Sequence, residues 1–166
     1  MRASIYTRKG DLGQTGLFSG KRVKKNDRVM EAIGTVDELN AQIGAAITQI
    51  KNKEAREKLD RVQRNLFVVG SGLAGYGEPK LGDEVDKMEE EIDRMWAGMP
   101  PLKNFILPRG QLHLARTVAR RAERAVIVAK GKFAWQYLNR LSDYLFCLAR
   151  WVNYKAKIRE TVWKST

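Results

Sequence analysis

Four arginines lie close together on one predicted helix, and this cluster constrains what the chain can fold into. The stretch Leu112–Ala125 (LHLARTVARRAERA) contains no proline or glycine and is rich in residues that favour helices. Residues at intervals of three and four share a helix face, as four polar residues do here: Arg116, Arg120, Glu123 and Arg124. Arg121 lies about 100° around the axis from Arg120. The small apolar positions predict close packing against another helix: Leu112, Ala115, Ala119, Ala122 and Val126.

The arginines on this helix repel one another, since Glu123 is the one carboxylate in the stretch. An external anion, carboxylates from other helices or open solvent must offset their charge. Arginine is well suited to phosphate because its guanidinium can form two parallel hydrogen bonds. A solvated face explains the same spacing equally well. The rest of the chain has to decide between these interpretations.

The overall charge also indicates an anionic partner. Lysine and arginine outnumber aspartate and glutamate by 31 to 19 among 166 residues, giving a net charge of +12. A nucleotide, a nucleic acid or a membrane surface would each suit this charge. Cys147 is the only cysteine, which excludes an internal disulfide, and no cluster of His and Cys suggests zinc. Without a signal-peptide pattern or a long apolar run, we expect a cytoplasmic protein.

The N-terminal segment, residues 1–25, has no helical periodicity and is expected to be an extended, glycine-rich loop. Glycines at intervals of three, Gly10, Gly13 and Gly16, allow successive backbone amides to form a concave nest for an anion. Side-chain donors for the same anion would come from Lys9, Thr15 and Lys25. A flexible basic arm is the alternative, and it would be the preferred one if the segment stood alone.

Five amphipathic helices are predicted from the spacing of apolar residues. They cover residues 27–50, 53–76, 83–98, the arginine helix up to Gly131, and Trp135 to Glu160. We expect the acidic side of the third helix to face solvent: Glu84, Glu89, Glu90, Glu91 and Asp93. With no strand pattern, repeat or linker, the prediction is an all-α antiparallel five-helix bundle forming a single domain over residues 1–166.

Several separated segments together resemble one family. They are Thr7–Thr15 with Lys25, residues 34–44 (GTVDELNAQIG), residues 115–124 (ARTVARRAER) and residues 137–146 (YLNRLSDYLF). In this order and spacing they resemble the ATP:cob(I)alamin adenosyltransferases of the PduO type, over nearly the whole chain. The resemblance implies a homotrimer that holds ATP between neighbouring subunits. It also implies transfer of the 5′-deoxyadenosyl group of ATP to the cobalt of cob(I)alamin, with Mg²⁺ and with release of triphosphate.

The resemblance also implies roles for individual residues. The phosphate loop would comprise Thr7, Arg8, Lys9, Gly10, Thr15, Gly16 and Lys25. The ATP site would be lined by Arg120, Arg121, Glu123, Arg124 and Asn139, with Arg120 and Arg124 stabilising the transition state. Asp37 and Arg116 would tie adjacent subunits together, and Phe105 would shield the corrinoid.

One departure from the family pattern bears on the corrinoid pocket. The family usually has a longer loop, beginning Pro-Gly-Gly, before its Leu-His pair. Here Pro108, Arg109, Gly110 and Gln111 lead directly into Leu112 and His113. The change affects the expected role of Phe105 most and the ATP motifs least.

Two other kinds of protein fit parts of the sequence. A basic helical nucleic-acid-binding protein would explain the charge, although no recognised nucleic-acid-binding motif is present. A structural bundle that uses its arginines only for subunit contacts would leave the glycine-rich loop without a purpose. For an adenosyltransferase, we expect a corrinoid reductase and an adenosylcobalamin-dependent enzyme as partners, and neither nucleic acid nor membrane.

Overall fold

The computed structural model describes residues 5–164, which form five α-helices and one short β-hairpin. The helices are α1 (Arg28–Gln49), α2 (Lys53–Leu73), α3 (Gly82–Ala97), α4 (Gln111–Val128) and α5 (Trp135–Lys155). A single 3₁₀ turn, Lys132–Ala134, precedes α5. The predicted all-α bundle is confirmed, and each helix lies within a few residues of its predicted position.

The prediction that the chain has no strands was wrong. β1 (Gln14–Gly16) pairs antiparallel with β2 (Arg22–Lys24), with Thr15 opposite Val23. An isolated antiparallel bridge also joins Ile106 to Val162. Three-residue strands are too short to show an alternating pattern, and a bridge between distant residues leaves no local sequence signal.

Helix ends follow local chemistry. The side chain of Asp27 caps α1 by accepting a hydrogen bond from the backbone N–H of Val29. At the end of α4, Lys130 has a φ of +62°, and the N–H of Gly131 donates to the carbonyl of Val126 at 3.0 Å. This backbone pattern ends α4 at Val128, before the predicted Gly131. α5 ends at Lys155 rather than Glu160 because the N–H of Ile158 turns back to the carbonyl of Asn153.

Consecutive helices run in opposite directions, and α4 lies between α1 and α5. α3 packs along α5, with Arg140 bonded to Glu89 and Arg150 to the carbonyl of Pro100. The predicted small apolar stripe of α4 is entirely buried: Leu112, Ala115, Ala119, Ala122 and Val126. Its small side chains let α4 approach its neighbours closely and leave the arginine face turned away from the core.

The acidic side of α3 is only partly exposed, contrary to prediction. Glu91 is buried, accepts two hydrogen bonds from Arg61 and one from Tyr144, and forms an ion pair with Lys58. Burial raises the pKa of Glu91, but the hydrogen bond from Arg61 and the other contacts outweigh burial and leave the pKa below its usual range. Glu91 therefore joins α2, α3 and α5 through a charged cluster that no single helix pattern reveals.

Within residues 5–164, none of the helices combines the length and the apolar character that crossing a membrane would need.

Candidate functional site

The arginine face of α4 borders a cleft that also involves α3 and α5. The cleft has a volume of about 420 Å³, and α4 contributes Arg116 and Arg120 to its wall. The opposite walls are formed by Ile92, Asp93 and Trp96 of α3 and by Ser142, Asp143, Phe146 and Cys147 of α5. Two arginines, two carboxylates and two aromatic rings therefore surround one open space.

Few carboxylates compensate the arginines of α4. Arg121 pairs with Glu38 of α1, and both side chains are largely exposed. Arg124 donates a hydrogen bond to the backbone carbonyl of Arg120 at 2.9 Å, so it meets no charge there. Within residues 5–164, Arg120 forms no ion pair, and the buried Nε of Arg116 has no hydrogen-bond partner. The face therefore keeps hydrogen-bond donors and positive charge for an anion.

Burial, together with the crowding of like charges, lowers the pKa of two residues on this face. Burial and the nearby Arg120 guanidinium lower the pKa of Arg116. Burial and the Arg116 guanidinium lower the pKa of His113, whose buried Nδ1 has no hydrogen-bond partner among residues 5–164. The lowered pKa favours the neutral imidazole of His113, which packs edge-on against Phe146 with ring centroids 5.7 Å apart.

Glu123 and Asn139, both predicted to line the ATP site, are in direct contact. The side-chain amide of Asn139 donates to Oε1 of Glu123 at 2.9 Å, across the α4–α5 boundary. The sequence spacing of sixteen residues could not by itself show this contact. It fixes the one carboxylate on the arginine face and orients the amide beside the arginines.

The predicted phosphate loop forms a compact hairpin. The N–H of Gly13 closes a turn onto the carbonyl of Gly10 at 3.2 Å, and Gly13 has a φ of +77°. Lys25 lies over this turn, since a Cβ placed on Gly10 would be 3.1 Å from its Nζ. Arg22 donates to the carbonyl of Lys9 at 3.1 Å. The glycines and lysines that were predicted to bind an anion are thus close together in space.

This hairpin is anchored at the end of α2. The N–H of Ser19 donates to the carbonyl of Ala74 at 3.2 Å, and Phe18 packs edge-on against Tyr76. In the described part of the chain, no hydrogen bond or ion pair connects the hairpin to α4. The two predicted halves of the ATP site are not joined within one chain.

Asp37 and Arg116 also form no ion pair within residues 5–164. Asp37 is exposed on α1, in a row of small exposed residues that includes Gly34, Ala41 and Ala45. A Cβ placed on Gly34 would meet no atom within 4 Å, whereas one on Gly44 would lie 3.1 Å from Nε2 of Gln63. Close helix contact at Gly44 occurs within the chain, and the surface around Asp37 is open.

Phe105 lies in the segment that joins α3 to α4, and its side chain is 82% exposed. Its carbonyl accepts a hydrogen bond from the N–H of Trp163 at 2.8 Å, and the N–H of Leu107 donates to the carbonyl of Thr161 at 2.8 Å. The exposed ring of Phe105 therefore extends from a backbone that is hydrogen-bonded to Thr161 and Trp163.

Sequence reasoning missed several residues around the cleft. Ser142 and Phe146 lie within the matched segment 137–146 but were not predicted as site residues, although their four-residue helical spacing places them on one face. Trp96 and the Glu38–Arg121 pair involve other helices, and nothing in the local sequence identifies them.

Comparisons with known proteins agree with this architecture. Residues 5–152 match the family model for cobalamin adenosyltransferase. A corrinoid adenosyltransferase from Citrobacter freundii is 42% identical over 164 residues, covering 88% of this chain and 93% of the relative. The Citrobacter freundii corrinoid adenosyltransferase PduO is 40% identical over 89% of this chain, and the match spans about half (49%) of that protein.

A solved structure is also closely similar. It is a variant of the PduO-type ATP:corrinoid adenosyltransferase from Lactobacillus reuteri, in complex with cobalamin and ATP. It is 32% identical with a TM-score of 0.93, and the superposition covers 98% of this chain and 97% of that one. The chain belongs to the cobalamin adenosyltransferase family. These comparisons do not support the alternative of a nucleic-acid-binding protein.

Proposed function

We propose that this protein transfers the 5′-deoxyadenosyl group of ATP to the cobalt of cob(I)alamin and releases triphosphate. The observation that carries the proposal is the arginine face of α4. Among residues 5–164, Arg120 has no carboxylate partner and Arg124 bonds only to a backbone carbonyl. Family membership supports the choice of ATP and corrinoid as the substrates.

The chemistry requires positioning and charge stabilisation more than a reactive side chain. The reduced cobalt is itself a strong nucleophile: a Co–C5′ bond forms, the C5′–O bond breaks, and the electron pair leaves with triphosphate. Burial raises the pKa of the Cys147 thiol to about 11, so this residue is not an activated nucleophile. The protein's task is to hold the two substrates in line.

Arg120 and Arg124 are proposed to stabilise the transition state. Negative charge grows on the α-phosphate oxygen as the C5′–O bond breaks, and fixed guanidinium groups bind it more strongly there than in the ground state. Arg121, Glu123 and Asn139 complete the nucleotide side of the site. The hydrogen bond between Asn139 and Glu123 holds both side chains in place before ATP arrives.

Neighbouring subunits are proposed to complete each site in a homotrimer. The loop is anchored at the end of α2, and within residues 5–164 no hydrogen bond or ion pair joins it to the arginines of α4. It carries Thr7, Arg8, Lys9, Gly10, Thr15, Gly16 and Lys25. A loop from one subunit and an α4 helix from the next would then bind the same triphosphate. Asp37 and Arg116 would form their ion pair across the same boundary, where the small residues of α1 allow close approach.

Mg²⁺ is proposed to be held largely by ATP. No group of three or more His, Cys, Asp and Glu side chains that could hold a metal ion occurs in residues 5–164. Mg²⁺ often uses one or two carboxylates together with substrate phosphates. Glu123 is the carboxylate that α4 could supply. The ion would neutralise part of the triphosphate charge that the arginines do not reach.

Phe105 is proposed to cover the lower face of the corrinoid. Cob(II)alamin must be reduced before it can attack, and an apolar ring in place of the axial ligand favours the reduced cobalt. A corrinoid reductase and an adenosylcobalamin-dependent enzyme in the cytoplasm are the proposed partners, because one supplies the electron and the other uses the product.

An anaerobic assay tests this function. Protein, chemically reduced cob(I)alamin and Mg-ATP are mixed, and the absorbance change to adenosylcobalamin is followed. We expect multiple turnovers that require ATP. Folded, oligomeric protein that binds Mg-ATP but forms no adenosylcobalamin would overturn the proposed reaction.

A further inference from the structure

The C-terminal strap, defined as residues 156–164, is tied to the buried side of α5 through one arginine, in addition to its backbone hydrogen bonds. Arg150 of α5 is only 2% exposed, and its Nε donates to Oε1 of Glu160 at 2.6 Å. Its Nη2 donates both to the second oxygen of Glu160 at 3.2 Å and to the carbonyl of Pro100 at 3.1 Å. A buried guanidinium that is paired through two nitrogens fixes geometry as well as charge.

Arg150 also contacts the cleft wall. Its guanidinium carbon lies 4.7 Å from the ring centroid of Trp96, a cation–π contact, and Trp96 lines the cleft that contains Arg116 and Arg120. One side chain therefore connects the cleft wall, the turn after α3 and the strap. The match to the family ends at residue 152, so the strap lies outside the matched residues.

The strap in turn holds the backbone on either side of Phe105. Two hydrogen bonds of 2.8 Å, from Trp163 to Phe105 and from Leu107 to Thr161, form a short antiparallel bridge. The Phe105 ring is exposed, so these backbone bonds do more to place it than packing does. Cutting the Arg150–Glu160 pair would remove the side-chain anchor of the strap to α5 and leave the bridge beside Phe105 less constrained.

We propose that Arg150 and Glu160 are positioning residues for Phe105, acting through the strap. This inference rests on the proposed function, because Phe105 must cover the corrinoid for its position to matter. The ion pair sets where the ring lies over the cobalt, and thereby how easily cob(II)alamin loses its axial ligand and accepts an electron.

Two variants test the contribution of the ion pair and that of the backbone bridge separately. Glu160→Gln keeps the size of the side chain and removes its charge, with Arg159→Gln as the neighbouring control on the same strap. Trp163→Pro removes the N–H donated to Phe105 and keeps the extended backbone before it. Trp163→Ala is its matched control, because it removes the indole ring and keeps the N–H.

The readout is the absorption and magnetic circular dichroism spectrum of cob(II)alamin bound to each variant with Mg-ATP. In Glu160→Gln and Trp163→Pro, we expect a larger fraction of cobalt that retains its axial ligand. We also expect adenosylation that starts from cob(II)alamin and a reductant to be slower by about tenfold, with KM for ATP unchanged. The controls should resemble the unaltered protein.

The proposal is overturned if the two variants bind cob(II)alamin with an unaltered spectrum, even when their melting temperature falls, because the pair would then be merely structural. It is also overturned if Trp163→Ala changes the spectrum as much as Trp163→Pro, since the indole and not the bridge would be responsible. Failure of the proposed function is distinguishable, because the unaltered protein would then form no adenosylcobalamin from cob(I)alamin.

Discussion

Two clusters of positive charge in this protein have opposite surroundings. In the buried cluster, Arg61 and Lys58 meet Glu91, which also accepts a hydrogen bond from Tyr144. On α4, Arg120 has no ion pair in the described residues, and Arg124 bonds only to a backbone carbonyl. The charges of the first cluster are compensated by carboxylates of the fold itself, whereas the second leaves its charge available.

The difference separates arginines that organise the fold from arginines that we propose bind a ligand. A buried ion pair with its hydrogen bonds satisfied fixes the relative positions of helices. A group of guanidiniums without carboxylates weakens the fold slightly by repulsion, and a bound anion removes that repulsion. We therefore expect substitutions in the first cluster to affect stability and substitutions in the second to affect catalysis.

The largest effect is expected from Arg120→Ala. Removing a donor aimed at developing charge lowers rates by about 10²–10³-fold in comparable sites, and we expect a loss of this size in kcat/KM for ATP. Circular dichroism and the melting temperature should stay close to those of the unaltered protein. Arg94→Gln is the control, since Arg94 forms only an exposed pair with Glu90. Full activity of Arg120→Ala would remove Arg120 from the proposed mechanism.

Glu91→Gln should instead affect stability. The change removes the buried carboxylate that Arg61 and Lys58 share and leaves each with one more exposed partner, Glu84 for Arg61 and Glu54 for Lys58. Breaking a buried pair in this way destabilises by about 3 kcal/mol. Urea unfolding measures the loss, and Glu90→Gln on the same helix should change the free energy of unfolding by less than about 0.5 kcal/mol. Near-equal stability of the two variants would show that the buried cluster is not a structural centre.

The pH dependence of stability tests the lowered pKa of His113, which lies beside the arginine face. The pKa of His113 is lowered by burial and by Arg116, so the unfolded chain takes up a proton before the folded one does. Stability is then full above the usual His pKa of about 6.5 and falls as the pH decreases below it, by at most about 1.4 kcal/mol per pH unit.

Urea unfolding at several pH values measures this slope, and His113→Gln should flatten it between pH 6.5 and the folded pKa. The Glu91 cluster acts in a separate window, because the lowered pKa of Glu91 removes stability only below its usual value of 4.5. An unchanged slope in His113→Gln would mean that the imidazole does not titrate differently on folding.

The smallest effect is expected from Glu38→Gln. Glu38 and Arg121 are 43% and 47% exposed, and pairs of this kind contribute about 0–1 kcal/mol. The free energy of unfolding should change by less than about 0.5 kcal/mol. A loss several times larger would place Arg121 with the structural arginines and outside the proposed ATP site.

Local sequence patterns predicted the helices and the arginine face because both follow the helical repeat. The buried stripe of α4 from Leu112 to Val126 is an example, because the helical repeat alone places these residues on one face. Contacts between distant segments were not predictable in this way. Glu91 resembles its exposed neighbours in sequence, and only the packing of α2 and α5 shows that it is buried.

The same limit applies to the candidate site. The contact between Asn139 and Glu123 agrees with the expectation that both residues line one site. Its geometry could be seen only in the folded structure. The bridge between Phe105 and Trp163 joins residues far apart in sequence and involves only backbone groups, which carry no residue-specific signal. The roles of the named side chains toward ATP and corrinoid stay predictions.

The most direct test of the central claim is a subunit-mixing experiment. Arg120→Ala has an intact loop, and a variant with both Arg8 and Lys9 changed to Ala has an intact α4. Each protein alone is expected to be nearly inactive. The two are co-expressed with different tags, and mixed oligomers are purified and assayed for adenosylcobalamin formation.

If a loop and the α4 helix of a neighbouring subunit form each site, a mixed cyclic trimer contains one site with both parts intact, or about a third of the unaltered activity. If mixed trimers are as inactive as their parents, the arginines and the loop of a single chain act together, and the proposed site between subunits is wrong.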